Sequence, residues 1–436
     1  MGMKITVIGS GYVGLIAALG FGIKNNKVIC VDKDKEKIKS LKKGIPIIYE
    51  KGLDKYLKKC IEEKKITFST DIKKGIRESN IIFIAVGTPA LNNGDVDMTQ
   101  VKEVINDISK YINEYKVIVN KSTVAIGTQK YIKRMLNDKG ISNEYFDIVS
   151  NPEFLREGKA FDDFFNTDRI VIGYDSEIAK EIMGKLYKNF NKKIVYTNPE
   201  TAELIKYASN GFLATKISFI NEIANLCDEI GGNVEDISYV LGLDKRISPL
   251  FLNAGIGFGG SCFPKDTQAL VKIGKKYGVA FNVIKSTIDV NNKQRIIPIK
   301  KLLNHYKDIS GKIISVLGLT FKPGTDDIRE APAIYIINEL IKNEAIVKCY
   351  DPNVSRKIKE IYPQIEYCNT PYDTFIDSSC AIFCTEWDEF SKLDLFKLKD
   401  KMKEPLIIDG RNIFDYKDVK KAKINYFAIG RGYIYK

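Results

Sequence analysis

The sequence predicts an α/β protein in which two doubly wound domains are joined by a long central helix. Three observations carry this expectation. Residues 4–32 read as strand, glycine-rich turn, apolar helix and second strand. Residues 199–230 hold one helical pattern that is apolar on more than one face. After Gly311 the alternation of apolar strand and amphipathic helix returns. At 436 residues the chain is too long for one core and long enough for two or three domains. The expected boundaries are 1–198, 199–308 and 309–436.

In order along the chain, "KITVIGSGYVGLIAALGFG" begins with a strand from Lys4 to Ile8. Gly9, Gly11 and Gly14 then follow in the spacing G-x-G-x-x-G, enclosing Tyr12 and Val13, and a helix pattern runs to about Lys24. A short strand, "VICVD", ends in Asp32, 18 residues beyond Gly14. Glycines alone would say little. Strand, glycines, helix, strand and acid together read as a Rossmann-like dinucleotide site. Gly9 permits the tight turn, Gly11 leaves room for a pyrophosphate, and Gly14 lets helix and strand pack closely. The helix N-terminus faces the phosphates with unpaired N–H groups. Asp32 would accept hydrogen bonds from a ribose diol and repel a 2′-phosphate, so NAD is expected rather than NADP.

The alternation continues with "NIIFIAVGTP", ending at Gly87, Thr88 and Pro89, and "KVIVNKSTV", ending at Ser122 and Thr123. "FDIVSNPEFLREG" gives a further strand, followed by Glu153 and Glu157. Ligands of such sheets gather at the carboxyl ends of the strands. Glu153 and Glu157 are four apart and would share a face if that segment were helical, making them candidate bases.

The long helix comes next. Such a helix bridges domains or forms an oligomer interface. Lys206 and Asn210 stand one turn apart on it and point the same way. After Gly311 come the strand and loop "KIISVLGLTFKPGTDD", the helix "APAIYIINELIKNEA", the strand "IVKCYDP" ending in Asp351, and the strands "CAIFC" and "PLIIDG". The first turn of this second domain lacks G-x-G-x-x-G, so a second NAD is not expected there. Lys322 and Arg411 could instead hold the phosphates of another nucleotide.

Composition removes several classes. The 8 cysteines include no C-x-x-C pair, so neither a zinc site nor a disulfide framework is expected. Most should pack in cores, as Cys30 and Cys349 do by position. The net charge of +13 comes from lysines spread along helix faces among acids, without a basic tail, so no nucleic-acid partner is expected. No apolar run approaches a membrane span of ~18 residues. The opening residues lack the charged and apolar regions of a signal peptide, and a cytoplasmic protein is expected. The single histidine, His305, lies in a polar helical stretch. Chemistry must therefore come from Cys, Lys, Asp, Glu, Asn or Thr.

"GIGFGGSCFPKD", residues 255–266, supplies a nucleophile. Its glycines let backbone approach a ligand closely. Pro264 favours a helix start just after Cys262, and a helix N-terminus with Lys265 nearby would lower the thiol pKa. A thiolate beside a nicotinamide suggests oxidation of an aldehyde through a thiohemiacetal and a thioester to an acid. A cysteine buried in a glycine-rich turn is the alternative.

The stretches "GSGYVG", "VGTP", "KSTV", "NPEFLREG", "ELIKYASN", "GFGGSCFPKD", "LGLTFKPGTDDIREAP" and "IDGRN" occur in an order that resembles the UDP-glucose/GDP-mannose dehydrogenase family over nearly the whole chain. The resemblance implies oxidation of a sugar C6 alcohol to a carboxylate with two NAD and one water. UDP-glucose is the expected substrate, with GDP-mannose or a UDP-N-acetylhexosamine as the alternative. By the resemblance, Cys262 is the nucleophile, and Lys206 and Asn210 stabilise developing oxyanions. Asp266 and Thr123 handle water, and Glu153 serves proton transfer and thioester hydrolysis. NAD falls to Gly9, Gly11, Tyr12, Val13, Gly14, Asp32, Lys37, Val86, Gly87, Thr88, Pro89, Ser122, Glu157, Lys265 and Arg329. The UDP-sugar falls to Phe154, Leu155, Arg156, Phe251, Asn253, Gly255, Phe258, Gly259, Phe321, Lys322 and Arg411. Arg246 matches an arginine that reaches a neighbouring subunit's substrate, which implies a homodimer. Asn253 stands where some relatives have lysine, which puts one uracil or phosphate contact in doubt.

Overall fold

The structure, a computed structural model, describes residues 2–91, 94–353 and 356–432. It contains two compact units, residues 1–209 and 210–436. The first is built on eight strands: β1 Lys4–Ile8, β2 Lys27–Val31, β3 Ile66–Ser69, β4 Ile81–Ile84, β5 Lys116–Asn120, β6 Phe146–Ser150, β7 Arg169–Gly173 and β8 Lys193–Thr197. Their order is β3-β2-β1-β4-β5-β6-β7-β8. All pairs are parallel except β6 with β7.

Alternation along the strands explains why this sheet is covered on both faces. Ile81 and Phe83 of β4 enter one hydrophobic cluster, with Val7, Leu15 and Phe21. Ile82 and Ile84, on the other face, enter a second, with Val104, Ile108 and Ile132. A strand apolar at every position needs helices above and below it. Strand order reverses between β1 and β4, so the crevice at their carboxyl ends is where a ligand fits this kind of sheet.

The second unit repeats the plan with six strands: β9 Ile313–Leu317, β10 Ile346–Tyr350, β11 Glu366–Tyr367, β12 Cys380–Phe383, β13 Leu406–Asp409 and β14 Asn425–Phe427. The order is β11-β10-β9-β12-β13-β14, and every pair is parallel. Cys380 and Ile382 face one core, and Ala381 and Phe383 face the other. Six of the cysteines are buried; Cys262 and Cys368 are partly exposed.

The helix Pro199–Ile230 joins the two Rossmann-like domains. Its 32 residues make it roughly 48 Å long at ~1.5 Å per residue. Among the described residues, no helix is long and apolar enough to cross a membrane.

Candidate active site

In the first unit, the turn after β1 leads into the helix Tyr12–Ile23, whose N-cap, Gly11, makes no side-chain capping bond. No capping side chain therefore competes with a ligand at this helix start. The three glycines divide the work unequally. Gly9 adopts a φ of 101°, which only glycine takes readily. A Cβ on Gly14 would lie 1.9 Å from the Gly9 carbonyl oxygen. A Cβ on Gly11 would meet nothing within 4 Å, so the space before the helix is open.

At the end of β2, Asp32 accepts from the Ser10 N–H at 2.8 Å and from the Ser10 hydroxyl at 2.6 Å. Partial burial opposes ionisation, but bonds from Ser10 and Asp34 and the charge of Lys37 outweigh it and hold the carboxyl below its usual range. The ends of β4 and β5 are laced together. The Thr88 hydroxyl donates to the Thr123 carbonyl at 2.7 Å, and the Ser122 hydroxyl donates to the Val86 carbonyl at 2.8 Å. This aligns Val86 to Pro89 beside Ser122 and Thr123. An open space before an uncapped helix, with an ionised Asp32 on the neighbouring strand, fits a dinucleotide.

After β6 the chain runs without helix through residues 151–156. The expectation that Glu153 and Glu157 share a helical face is therefore corrected. Glu153 turns inward, where its carboxylate meets Lys206 at 2.8 Å, with the side chains 8% and 5% exposed. It also accepts from the Leu155 N–H. Burial alone would raise its pKa. The charge and hydrogen bond of Lys206, the Leu155 N–H and the charge of Lys121 win, and Glu153 stays below the usual carboxylate range. Phe154 lies under the Arg169 guanidinium, 4.0 Å from ring centroid to carbon, and Arg156 pairs with Asp163 at the surface.

In the second unit, Cys262 is the N-cap of the helix Phe263–Lys276, with proline in the first turn. The Asp266 N–H donates back to the Cys262 carbonyl at 2.8 Å. Asp266 is buried and accepts from the Asn210 amide at 2.5 Å. Lys265, expected to act on the thiol, pairs with Asp266. The glycine run before Cys262 is threaded through its surroundings. Gly255 faces Arg411, Gly259 lies against the Glu330 carbonyl, and Gly260, at a φ of 82°, lies against the Phe321 ring. Gly255 and Phe258 are buried, Phe251 has a φ of 65°, and Asn253 is exposed. Lys322 lies 5.4 Å from the Phe321 ring, and the Arg411 Nε donates to the Cys384 carbonyl at 3.0 Å. Arg329 and Arg246 point into ion pairs with Asp327 and Asp244, both at 2.6 Å.

Residues 3–191 match the model of the UDP-glucose/GDP-mannose dehydrogenase family, NAD binding domain. Residues 200–293 match that family's central domain, and residues 315–416 its UDP binding domain. The chain belongs to this family. It is 47% identical over 429 residues to UDP-glucose 6-dehydrogenase TuaD of Bacillus subtilis, covering 98% of this chain and 93% of that one. It is 42% identical to UDP-glucose 6-dehydrogenase of Rhizobium meliloti, over 98% and 100% of the two chains. A solved UDP-glucose dehydrogenase from Pyrobaculum islandicum superposes with a TM-score of 0.92 at 33% identity, over 98% and 97% of the chains. A UDP-D-ManNAc dehydrogenase from Pyrococcus horikoshii gives 0.89 at 28%, over 99% and 100%. NAD is the cofactor of this family, and the chain is a nucleotide-sugar dehydrogenase of it.

Sequence reasoning missed the residues that hold the family's cysteine loop from behind. The Asn221 side chain accepts from the Gly255 N–H at 2.8 Å. Asn291 accepts from the Phe258 N–H at 2.8 Å and donates to the Phe258 carbonyl at 3.0 Å. Gln294 donates to the Gly255 carbonyl at 2.8 Å, and Arg295 to that of Phe258 at 3.2 Å. Asn291, Gln294 and Arg295 share one helical face by spacing, which was the available signal. Lys121 was missed as well.

Proposed function

We propose that this chain oxidises UDP-glucose to UDP-glucuronate, with two NAD and one water consumed per sugar. One observation carries the reading beyond family membership. Lys206 and Asn210, one turn apart on the same helix, are each already bonded to a buried carboxylate, Glu153 and Asp266 respectively. Two nitrogen donors and two acids are thus held ready without a histidine. His305 is exposed, against Tyr306 and Phe427.

NAD, when bound by the Gly9–Gly14 turn, Asp32, Lys37, Val86 to Pro89, Ser122, Glu157, Lys265 and Arg329, supplies the acceptor for both hydrides. Lys206 and Asn210 donate to the sugar oxygen as it gains negative charge. The Cys262 thiolate adds to the C6 aldehyde, and the carbon passes from thiohemiacetal to thioester. Asp266 and Thr123 hold a water, Glu153 exchanges the proton, and attack of that water frees the acid and the thiol. Phe154, Leu155, Arg156, Phe251, Asn253, Gly255, Phe258, Gly259, Phe321, Lys322 and Arg411 hold the UDP-sugar. The working regions on this reading are 1–198 for NAD, 199–308 for the cysteine loop and self-association, and 309–436 for UDP.

A homodimer also belongs to this proposal. Phe212, Phe219 and Leu226 recur at seven-residue intervals on the long helix and are 66%, 50% and 54% exposed. Tyr239, Val240, Leu243 and Leu250 add to the exposed apolar surface nearby in sequence. Arg246 lies within that stretch and would reach the neighbouring subunit's substrate. The cytoplasm is the compartment proposed.

An N-acetylated UDP-sugar is the second reading, favoured by likeness to the Pyrococcus horikoshii enzyme. Comparing kcat/KM for UDP-glucose, UDP-N-acetylmannosamine and GDP-mannose decides between them. UDP-glucose is expected to lead by at least tenfold, and a higher value for another sugar would reassign the substrate.

A further inference from the structure

Lys121 directly follows β5, is 5% exposed, and has no part in the reaction sequence above. Its Nζ donates to the Asn151 side-chain oxygen at 3.1 Å. The same oxygen accepts from the Tyr187 hydroxyl at 2.6 Å. Asn151 is held on its other sides by bonds from its amide to the Val171 carbonyl at 2.8 Å and from its N–H to the Asn120 carbonyl at 2.9 Å. It is therefore locked between β5 and β7, two residues ahead of Glu153.

A cavity of about 40 Å³ is lined by Lys121, Asn151, Glu153, Asp163, Arg169 and Tyr187, among others. That is room for water, with several polar partners. The charges that act on Lys121 are those of Glu153 and Lys206. Across the cavity, Asp163 is engaged by Arg156, and Arg169 stacks on Phe154. Burial pushes the Lys121 ammonium down to about 8, with Glu153 opposing the shift and Lys206 adding to it. Two lysines thus bear on one buried carboxylate.

We propose that Lys121 is a positioning residue for the Glu153–Lys206 pair, steadying the Glu153 segment through Asn151 and setting a second positive charge against its carboxylate. The inference rests on the UDP-glucose reading above. Its consequence has a sign. Removing the charge makes Glu153 easier to protonate, so the acid side of the activity profile moves to higher pH.

The test is the pH dependence of kcat/KM for UDP-glucose in the unmodified protein and in Lys121→Gln, Lys121→Met and Lys121→Arg. Gln keeps a donor for Asn151 without the charge, so it serves where Met fails to fold. In Gln and Met, the midpoint of the acid limb of kcat/KM is expected to lie about one pH unit above that of wild type. Arg is expected to keep the wild-type acid limb. A folded Lys121→Gln enzyme with an unmoved limb would overturn the inference, since a space-filling residue lowers stability without moving the profile. Absence of turnover in the unmodified protein overturns the functional reading and this inference with it. Normal turnover with unmoved limbs overturns the inference alone.

Discussion

The buried charges of the first unit have partners. Glu153 and Lys206 are both more than nine-tenths buried and joined at 2.8 Å. Removing Lys206 leaves Glu153 with Lys121 alone against it, which costs about 3 kcal/mol, the low end for a broken buried pair. Lys206→Met is expected to lose that much stability in urea at pH 7. Adding Glu153→Gln to it should recover most of the loss. Equal losses in the single and double variants would show that the pair is not coupled. Glu153 lies below its usual range in the fold, so its contribution is present above the ordinary carboxylate value of about 4.3 and disappears as pH falls through the lowered one.

Cys262→Ser is expected to reduce acid formation by about 10³-fold or more while NAD still binds, because a hydroxyl is a poor nucleophile at neutral pH. Wild-type turnover in that variant would remove the thiol from the mechanism. Asp32→Ala should weaken NAD by about tenfold or more, the size of a lost charge-assisted hydrogen bond. It should also narrow the preference over NADP, and an unchanged preference would place Asp32 away from the ribose. The places of Cys262 at a helix start, Lys206 on the long helix and Asp32 just after β2 were legible in sequence because each sits in a local pattern. Lys121 was not, because a lysine in "NKSTV" shows its burial only once β5, β6 and β7 are laid side by side.

At the scale of elements, the two glycines of the first helix turn separate folding from binding. Gly14→Ala forces a Cβ against the Gly9 carbonyl and is expected to destabilise the protein without NAD by about 1–3 kcal/mol. Gly11→Ala meets open space, so stability should change by at most about 1 kcal/mol while NAD affinity drops. Thermal melts with and without NAD distinguish the two, and identical behaviour would refute the division. The long helix was read from sequence as Pro199–Ile230 because its period holds without a break. Strand β7, a buried run of five residues, was overlooked, and the edge strands β3, β8, β11 and β14 escaped notice for physical reasons. They are short, as in the two residues of β11, or half-exposed at a sheet edge, as in β8. The spacing of Glu153 and Glu157 misled because a four-residue interval means a shared face only inside a helix. Pro152 and the inward turn to Lys206 keep this segment out of a helix.

At the scale of the whole molecule, two doubly wound units of unlike equipment share one chain. The first has the glycine turn and the Glu153–Lys206 pair, and the second has Cys262 with Asn210 and Asp266. The second doubly wound sheet was readable because the βα rhythm restarts after Gly311 without the glycine turn. The exposed stripe of Phe212, Phe219 and Leu226 was not readable, since apolar residues on every face of a helix look alike until a fold covers some of them. Replacing Phe219 and Leu226 together with glutamate is expected to convert a dimer to a monomer in sedimentation velocity. A monomeric unmodified protein would refute the proposed interface.

The proposed function has one protein carry an alcohol through two oxidations, the second of them on Cys262. It is tested most directly by giving the pure protein excess NAD and a limiting, known amount of UDP-glucose, and following NADH absorbance to completion. Two NADH per sugar are expected. One NADH per sugar would contradict the proposed function, leaving a two-electron dehydrogenase in which Cys262 is structural.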